Sequence, residues 1–196
     1  MSLKGYIGSQ FAMPRGKGGR ISTAIMNLIN TEHYRAVNNY VCKQEGARVL
    51  DIGFGNGYML RLLSRYEGLK LYGIDISADM INSASDVSAQ LIQASVTDIP
   101  FFEGFFDSIY TINTVYFWEE YEQAFASVKR VLKNGGEFIC TFYGNEYLDK
   151  LPYCDEGFRK FTPYELRDMA KENGFADVKI KILEKDKSYC LICKKP

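Results

Sequence analysis

The stretch that most constrains this chain is Arg48 to Gly57, R-V-L-D-I-G-F-G-N-G. Val49, Leu50 and Ile52 form a short apolar run suited to a strand buried on both faces, and Gly53, Gly55 and Gly57 then occupy every second position. That is a strand running into a bare turn. Such a turn accepts positive φ and lets a ligand lie against the backbone, while a helix starting near Gly57 offers unpaired N–H groups and the positive end of its dipole. A polar ligand is expected there.

Two ligand classes use such a turn. Dinucleotide sites want G-x-G-x-x-G, so that the pyrophosphate rests on the helix N-terminus, but here the third glycine comes one residue early and Tyr58 stands in its place. The pattern past the turn decides more. Tyr58 to Tyr66 reads as a helix closed by Gly68, and Leu69 to Ile76 as a second strand with Asp75 near its end. A carboxylate at that position can accept hydrogen bonds from both hydroxyls of a ribose. Ala78 to Val87 reads as a short helix, Ala89 to Ala94 as a third strand, and Ser95-Val96-Thr97-Asp98-Ile99-Pro100-Phe101 as the turn beyond it. Phe105 to Ile112 is the fourth strand, followed by Asn113, Thr114, Val115, Tyr116, Phe117 and Trp118.

Taken together, these residues resemble the class I S-adenosylmethionine-dependent methyltransferases. Asp51, Gly53, Gly55 and Gly57 match that family's acidic residue followed by G-x-G-x-G. The resemblance implies that the turn passes under the amino-acid part and ribose of the cofactor, with Asp51 near the methionine ammonium and Asp75, followed by Ile76, on the ribose side. It further implies an adenine contact from Asp98, flanked by Val96 and Thr97, and a methionine contact from Asn113. Phe54 departs from the family, which often has a small residue or cysteine there; it either narrows the turn or packs under it. The implied fold is a doubly wound α/β domain, residues 46–196, with a seven-stranded sheet of order 3-2-1-4-5-7-6. Cofactor and product are then S-adenosylmethionine and S-adenosylhomocysteine.

The rest of the chain agrees with such a fold. Glu119 to Leu132 is an amphipathic helix, Lys133-Asn134-Gly135-Gly136 a turn and Glu137 to Phe142 a fifth strand. Thr162-Pro163-Tyr164-Glu165 carries the cap, first-turn proline and N3 acid of a helix start. Val178 to Leu183 and Ser188 to Lys194, joined by a short polar turn, make a hairpin whose last strand is antiparallel to the rest.

The acceptor side is less determined. Residues 1–45 are expected to form an N-terminal flap and helices belonging to the same domain, with Ile25, Leu28 and Ile29 on one helical face. As a flap they would bring Tyr6, Phe11 and Arg15 towards the substrate. Tyr116, Phe117 and Trp118 are read either as core or as an aromatic wall for an apolar or cationic acceptor, and Tyr143 opens a long irregular segment expected over the substrate side. Substrate candidates are therefore Phe11, Arg15, Tyr116, Trp118 and Tyr143. His33, the sole histidine, together with Tyr6 and Tyr116, are the candidate bases if the acceptor must lose a proton.

Composition narrows the partner. Lys plus Arg equals Asp plus Glu at 24 each, so no basic excess speaks for a nucleic acid. Asn113-Thr114-Val115-Tyr116 lacks the two prolines of the signature that marks adenine, cytosine and glutamine amide methylation. A small-molecule acceptor is the expectation, with a non-catalytic cofactor-binding protein, a macromolecular methyltransferase and a dinucleotide-dependent oxidoreductase as alternatives. No run of about 18 apolar residues or export signal is visible, so a cytoplasmic location is expected. Five cysteines fit reduced thiols, and the solitary Cys190/Cys193 pair fits buried thiols better than a metal site.

Overall fold

The computed structural model describes residues 30–151, 154 and 159–196. Expectations that fall on residues 1–29, including the flap and the positions of Tyr6, Phe11 and Arg15, lie outside the described residues.

Seven strands form one sheet: β1 (Arg48–Ile52), β2 (Lys70–Asp75), β3 (Gln90–Gln93), β4 (Phe106–Ile112), β5 (Leu132–Tyr143), β6 (Ala176–Glu184) and β7 (Ser188–Lys194). Their spatial order is β3-β2-β1-β4-β5-β7-β6, as expected. Strands β1 to β5 pair in parallel, and β7 runs antiparallel to both β5 and β6. Strand β1 is central, with Val49 to Ile52 set against Leu71 to Ile74 on one side and Ser108 to Thr111 on the other.

Successive side chains of a strand point to opposite faces, and the core divides accordingly. Val49, Leu71, Tyr110, Ile139, Cys190 and Ile192 pack with helices α1 (Thr31–Tyr40), α2 (Tyr58–Leu63) and α3 (Ala78–Ser83). Leu50, Ile74, Ile109, Phe138, Leu191 and Cys193 pack on the other side with α4 (Tyr121–Val131) and, beyond the short α5 (Asn145–Leu148), with α6 (Pro163–Glu172). Cys190 and Cys193 fall in different clusters because a spacing of three in a strand separates faces, so the C-x-x-C cannot close on one ion.

Local chemistry explains the element ends. Helix α6 starts with the full capping box, Thr162 accepting from the Glu165 N–H and Glu165 accepting from the Thr162 N–H. Helix α3 stops at Ser83, earlier than the sequence pattern suggests. Ser85 and Asp86 are weak helix formers, and Asp86 turns to pair with Arg61 of α2. Strand β5 begins at Leu132, directly after α4; Lys133 to Gly136 form an excursion opposite the single residue Asp107, since Phe106 faces Leu132 and Ser108 faces Glu137. Lys133 closes that excursion with an ion pair to Asp107 at 2.5 Å.

Phe54 resolves its two readings here. It is buried in the α1–α3 cluster and covers Gly73 of β2, so the ring packs under the glycine turn. A Cβ on Gly73 would lie 2.6 Å from Phe54 Cδ1 and 2.9 Å from Leu91 Cδ2. Gly73→Ala should therefore cost about 1–3 kcal/mol in a denaturant titration, by overpacking. On a Phe54→Leu background the same change should cost clearly less, and equal costs would show that the ring does not set the limit.

Candidate functional site

The carboxyl ends of β1 to β4 enclose a cleft of about 410 Å³, on the edge of the sheet where open α/β folds bind their ligands. Each strand supplies a segment at its carboxyl end: Asp51 to Asn56 from β1, Ile74 to Ser77 from β2, Ala94 to Thr97 beyond β3, and Ile112 to Thr114 followed by Phe117 to Glu120 from β4. Asn30 and Tyr34 close it from α1.

The glycine turn forms its floor. The Gly53 N–H donates to the Ile74 carbonyl at 2.7 Å and the Gly57 N–H to the Phe54 carbonyl at 2.9 Å, so the turn is stitched to β2 and to itself. Gly55 has φ +55° and open space where a side chain would stand, which leaves its backbone bare to the cleft. Its N–H donates to Asp75 Oδ2 at 3.0 Å, while Asp75 Oδ1 accepts from the Ser77 N–H at 2.9 Å. The Asp75 carboxyl is nonetheless raised above the usual range, because burial outweighs these bonds.

Asp51 is the more extreme group. It is only 3% exposed, and burial pushes its carboxyl up to about 8. The Tyr110 hydroxyl opposes that shift by hydrogen bonding to the carboxyl, and Asp75 adds repulsion. Tyr34 lies on the same side; burial pushes its phenol above the ordinary range, with Asn30 opposing as a hydrogen-bond partner and Asp51 contributing repulsion. A buried carboxyl at the wall of a cleft, with no lysine or arginine beside it among the described residues lining that cleft, is suited to a cationic ligand group.

A second polar set lies between α1 and the ends of β4 and β5. Asn30 Oδ1 accepts from Asn113 Nδ2 and from the Tyr143 hydroxyl, both at 2.9 Å. Asn113 Oδ1 accepts from the Tyr116 hydroxyl at 3.1 Å, and that hydroxyl accepts from the Tyr143 N–H. Four residues thus close a ring, holding Asn113 at the left-handed φ of +56°.

Comparison with known proteins agrees with this geometry. The chain is 31% identical over 183 residues to the uncharacterized methyltransferase YdaC of Bacillus subtilis, covering 88% of this chain and 98% of that one. The chain belongs to the class I S-adenosylmethionine-dependent methyltransferases. The Methyltransferase domain family matches residues 50–140, which hold the glycine turn and all the strand ends of the cleft. Phosphoethanolamine N-methyltransferase 2 of Caenorhabditis elegans is 25% identical over 166 residues, 75% of this chain and 36% of that protein. Among solved structures, the PH0226 protein from Pyrococcus horikoshii superposes with a TM-score of 0.73 at 25% identity, over 88% of this chain and 91% of the other. The dinucleotide-dependent oxidoreductase is thereby set aside.

For this methyltransferase, Asp51, Gly53, Phe54, Gly55, Asp75, Ile76, Val96, Thr97 and Asn113 stand together around the cleft. Gly57 lies just behind, at the start of α2, where a Cβ would meet Val87. Asp98 does not join them: it is exposed and outside the lining, because its N–H turns back to the Ser95 carbonyl and Ile99, not Asp98, faces inward. Of the aromatic set, Phe117 and Trp118 reach the cleft, but Trp118 is 7% exposed and packs mainly on Phe125 and Phe138. Tyr116 and Tyr143 belong to the buried polar ring instead of the lining. The described residues of the segment after Tyr143 do not line the cleft either; Leu148, Cys154 and Phe161 join the core beside α4.

His33 is fully buried against the Tyr143 ring, 4.6 Å between centroids, with neither nitrogen hydrogen-bonded to a described residue. Burial lowers it to about 3, so it is neutral and shut away from the cleft, and it does not serve as a base for an acceptor. The sequence reading missed Asn30, Tyr34, Thr114, Glu119 and Glu120. The spacing of Asn30 and Tyr34, one helical turn apart, was the available signal for the first two.

Because the folded chain holds a proton on Asp51 that the unfolded chain has released between about pH 4 and about 8, this group's contribution to stability falls as pH rises through that window. The stability of the wild type relative to Asp51→Asn, measured by denaturant titration, should decline steadily from pH 5 to pH 8. A constant difference would mean that Asp51 is ionised throughout.

Proposed function

We propose that this methyltransferase passes the methyl group of S-adenosylmethionine to a small-molecule acceptor. The observation that carries the reading is the cleft. Its volume of about 410 Å³ lies within the range of roughly 300–1,000 Å³ common to small-ligand sites, and its described lining holds no lysine, arginine or histidine with which to follow a nucleic-acid backbone.

The residues present fit the cofactor. Gly55 leaves a bare floor, and Asp75, although already bonded to Gly55 and Ser77, keeps lone pairs that can accept from ribose hydroxyls. The exposed side chain of Ile76 and the segment Val96-Thr97 flank the base, with the Ser95 and Thr97 hydroxyls, 2.8 Å apart, as polar edges. Asn113 and Asp51 take the methionine end, Asp51 facing its ammonium. Bound there, the cofactor supplies a methyl group already activated by the sulfonium charge. The chain's tasks are to hold the acceptor in line, to exclude water and to accept any proton the acceptor sheds.

Two measurements test this. Calorimetric titration with S-adenosylmethionine should give micromolar binding while NADH gives none, followed by methyl transfer in a screen of small amines, phenols and acids. Binding with transfer only to protein or nucleic acid would overturn the acceptor class. Asp75→Ala should weaken cofactor binding by about 2–3 kcal/mol through loss of two charge-assisted hydrogen bonds. Unchanged affinity would remove Asp75 from the site.

A further inference from the structure

The charge at the mouth of the cleft is one-sided. Four acidic side chains line the cleft, Glu119 and Glu120 exposed at its mouth and Asp51 and Asp75 further in, with no cationic side chain beside them among the described residues. The four do not share one role. Asp75 is bonded to the turn, and Asp51 lies buried in the wall beside the Tyr110 hydroxyl. Glu119 and Glu120 are exposed, and neither pairs with a described lysine or arginine. They follow directly on Phe117 and Trp118, which present aromatic surface to the same space.

Charge bookkeeping separates them further. The cofactor carries an ammonium, a sulfonium and a carboxylate, one net positive charge, and in the proposed pose its ammonium faces Asp51. Asp75 is met by ribose hydroxyls, which are neutral. The two glutamates at the open end remain uncompensated, and like charges so placed hold a second cation far better than a neutral or anionic guest. A ring face next to them adds to the attraction.

We infer that the acceptor is a cationic amine, drawn in by Glu119 and Glu120 and seated against Phe117. The inference rests on the small-molecule reading of the cleft. Chemically the acceptor arrives as an ammonium and gives one proton to water or to a mouth carboxylate. The freed lone pair on nitrogen then forms the N–C bond as the S–C bond breaks, and that bond's electron pair returns to sulfur. The products are an N-methylammonium and a neutral thioether. An anionic acceptor, by contrast, would be repelled by the same carboxylates.

The test uses the full chain saturated with S-adenosylhomocysteine, titrated by calorimetry with matched sets that differ only in charge, such as 2-phenylethylamine, 2-phenylethanol and phenylacetate, together with alkyl and heteroaryl sets. The amine member of at least one set should bind about tenfold or more tightly than its alcohol, with an advantage that shrinks at high salt. In Glu119→Gln/Glu120→Gln the advantage should fall to about threefold or less, while affinity for S-adenosylhomocysteine stays within about twofold. Absence of any amine preference, or a preference that survives in the variant, overturns the inference. Equal weakening of all three members overturns it as well, because the two acids would then not discriminate by charge. Failure to bind S-adenosylhomocysteine at all would instead strike the cofactor reading beneath it.

Discussion

Everything at the cleft depends on how the chain leaves β1. The strand is hydrogen-bonded on both sides up to Ile52, and the Gly53 N–H is then spent on the Ile74 carbonyl of β2. On the opposite side the Thr111 hydroxyl holds the Ile52 carbonyl at 2.8 Å, and a side chain on Gly53 would strike Thr114. The turn is thus pinned by its neighbours in the sheet before any ligand arrives. Such pinning costs the ligand little ordering entropy on binding, which is the physical content of a preformed site. Asp75 belongs to the same device, since one oxygen fixes the turn and the other fixes the start of the next segment.

The strand order was legible because it follows from local signals repeated at regular distance. Val49 to Ile52, Leu71 to Ile74 and Phe106 to Ile112 are largely buried runs, and the segments between successive strands β1, β2, β3 and β4 are long enough for parallel crossovers. The hairpin of β6 and β7, with its short polar turn, could only add an antiparallel strand. The glycine turn and Asp75 were legible for the same reason, as they stand at strand ends whose position the pattern fixes.

The remainder of the site was not, because it is written in contacts between distant residues. Asn30 meets Asn113 across 83 positions and Tyr143 across 113, and nothing local to Asn30 signals either partner. Tyr116 and Tyr143 read as acceptor-facing aromatics by their place after β4 and β5, yet their hydroxyl and N–H are consumed in closing that ring. Asp98 stands outside the lining for a smaller reason. Its place in the turn after β3 matched expectation, but the direction of a side chain in a turn depends on one or two dihedrals that composition does not reveal. His33 was a candidate only by residue type, and complete burial removes the charge change that makes histidine useful.

Burial of Asp51 is the feature that stability alone does not explain. In β1 it shares the face of Val49, where α1 and α2 cover the sheet, and an asparagine or a leucine there would avoid the desolvation that pushes its carboxyl up to about 8. The tolerance for such a group follows if its charge is restored by a cation held in the cleft. In the empty protein the proton occupies the place of that cation, and binding exchanges one for the other. Affinity for a cofactor ammonium would then rise with pH up to about 8, and binding below it would release a proton, detectable as a buffer-dependent binding heat.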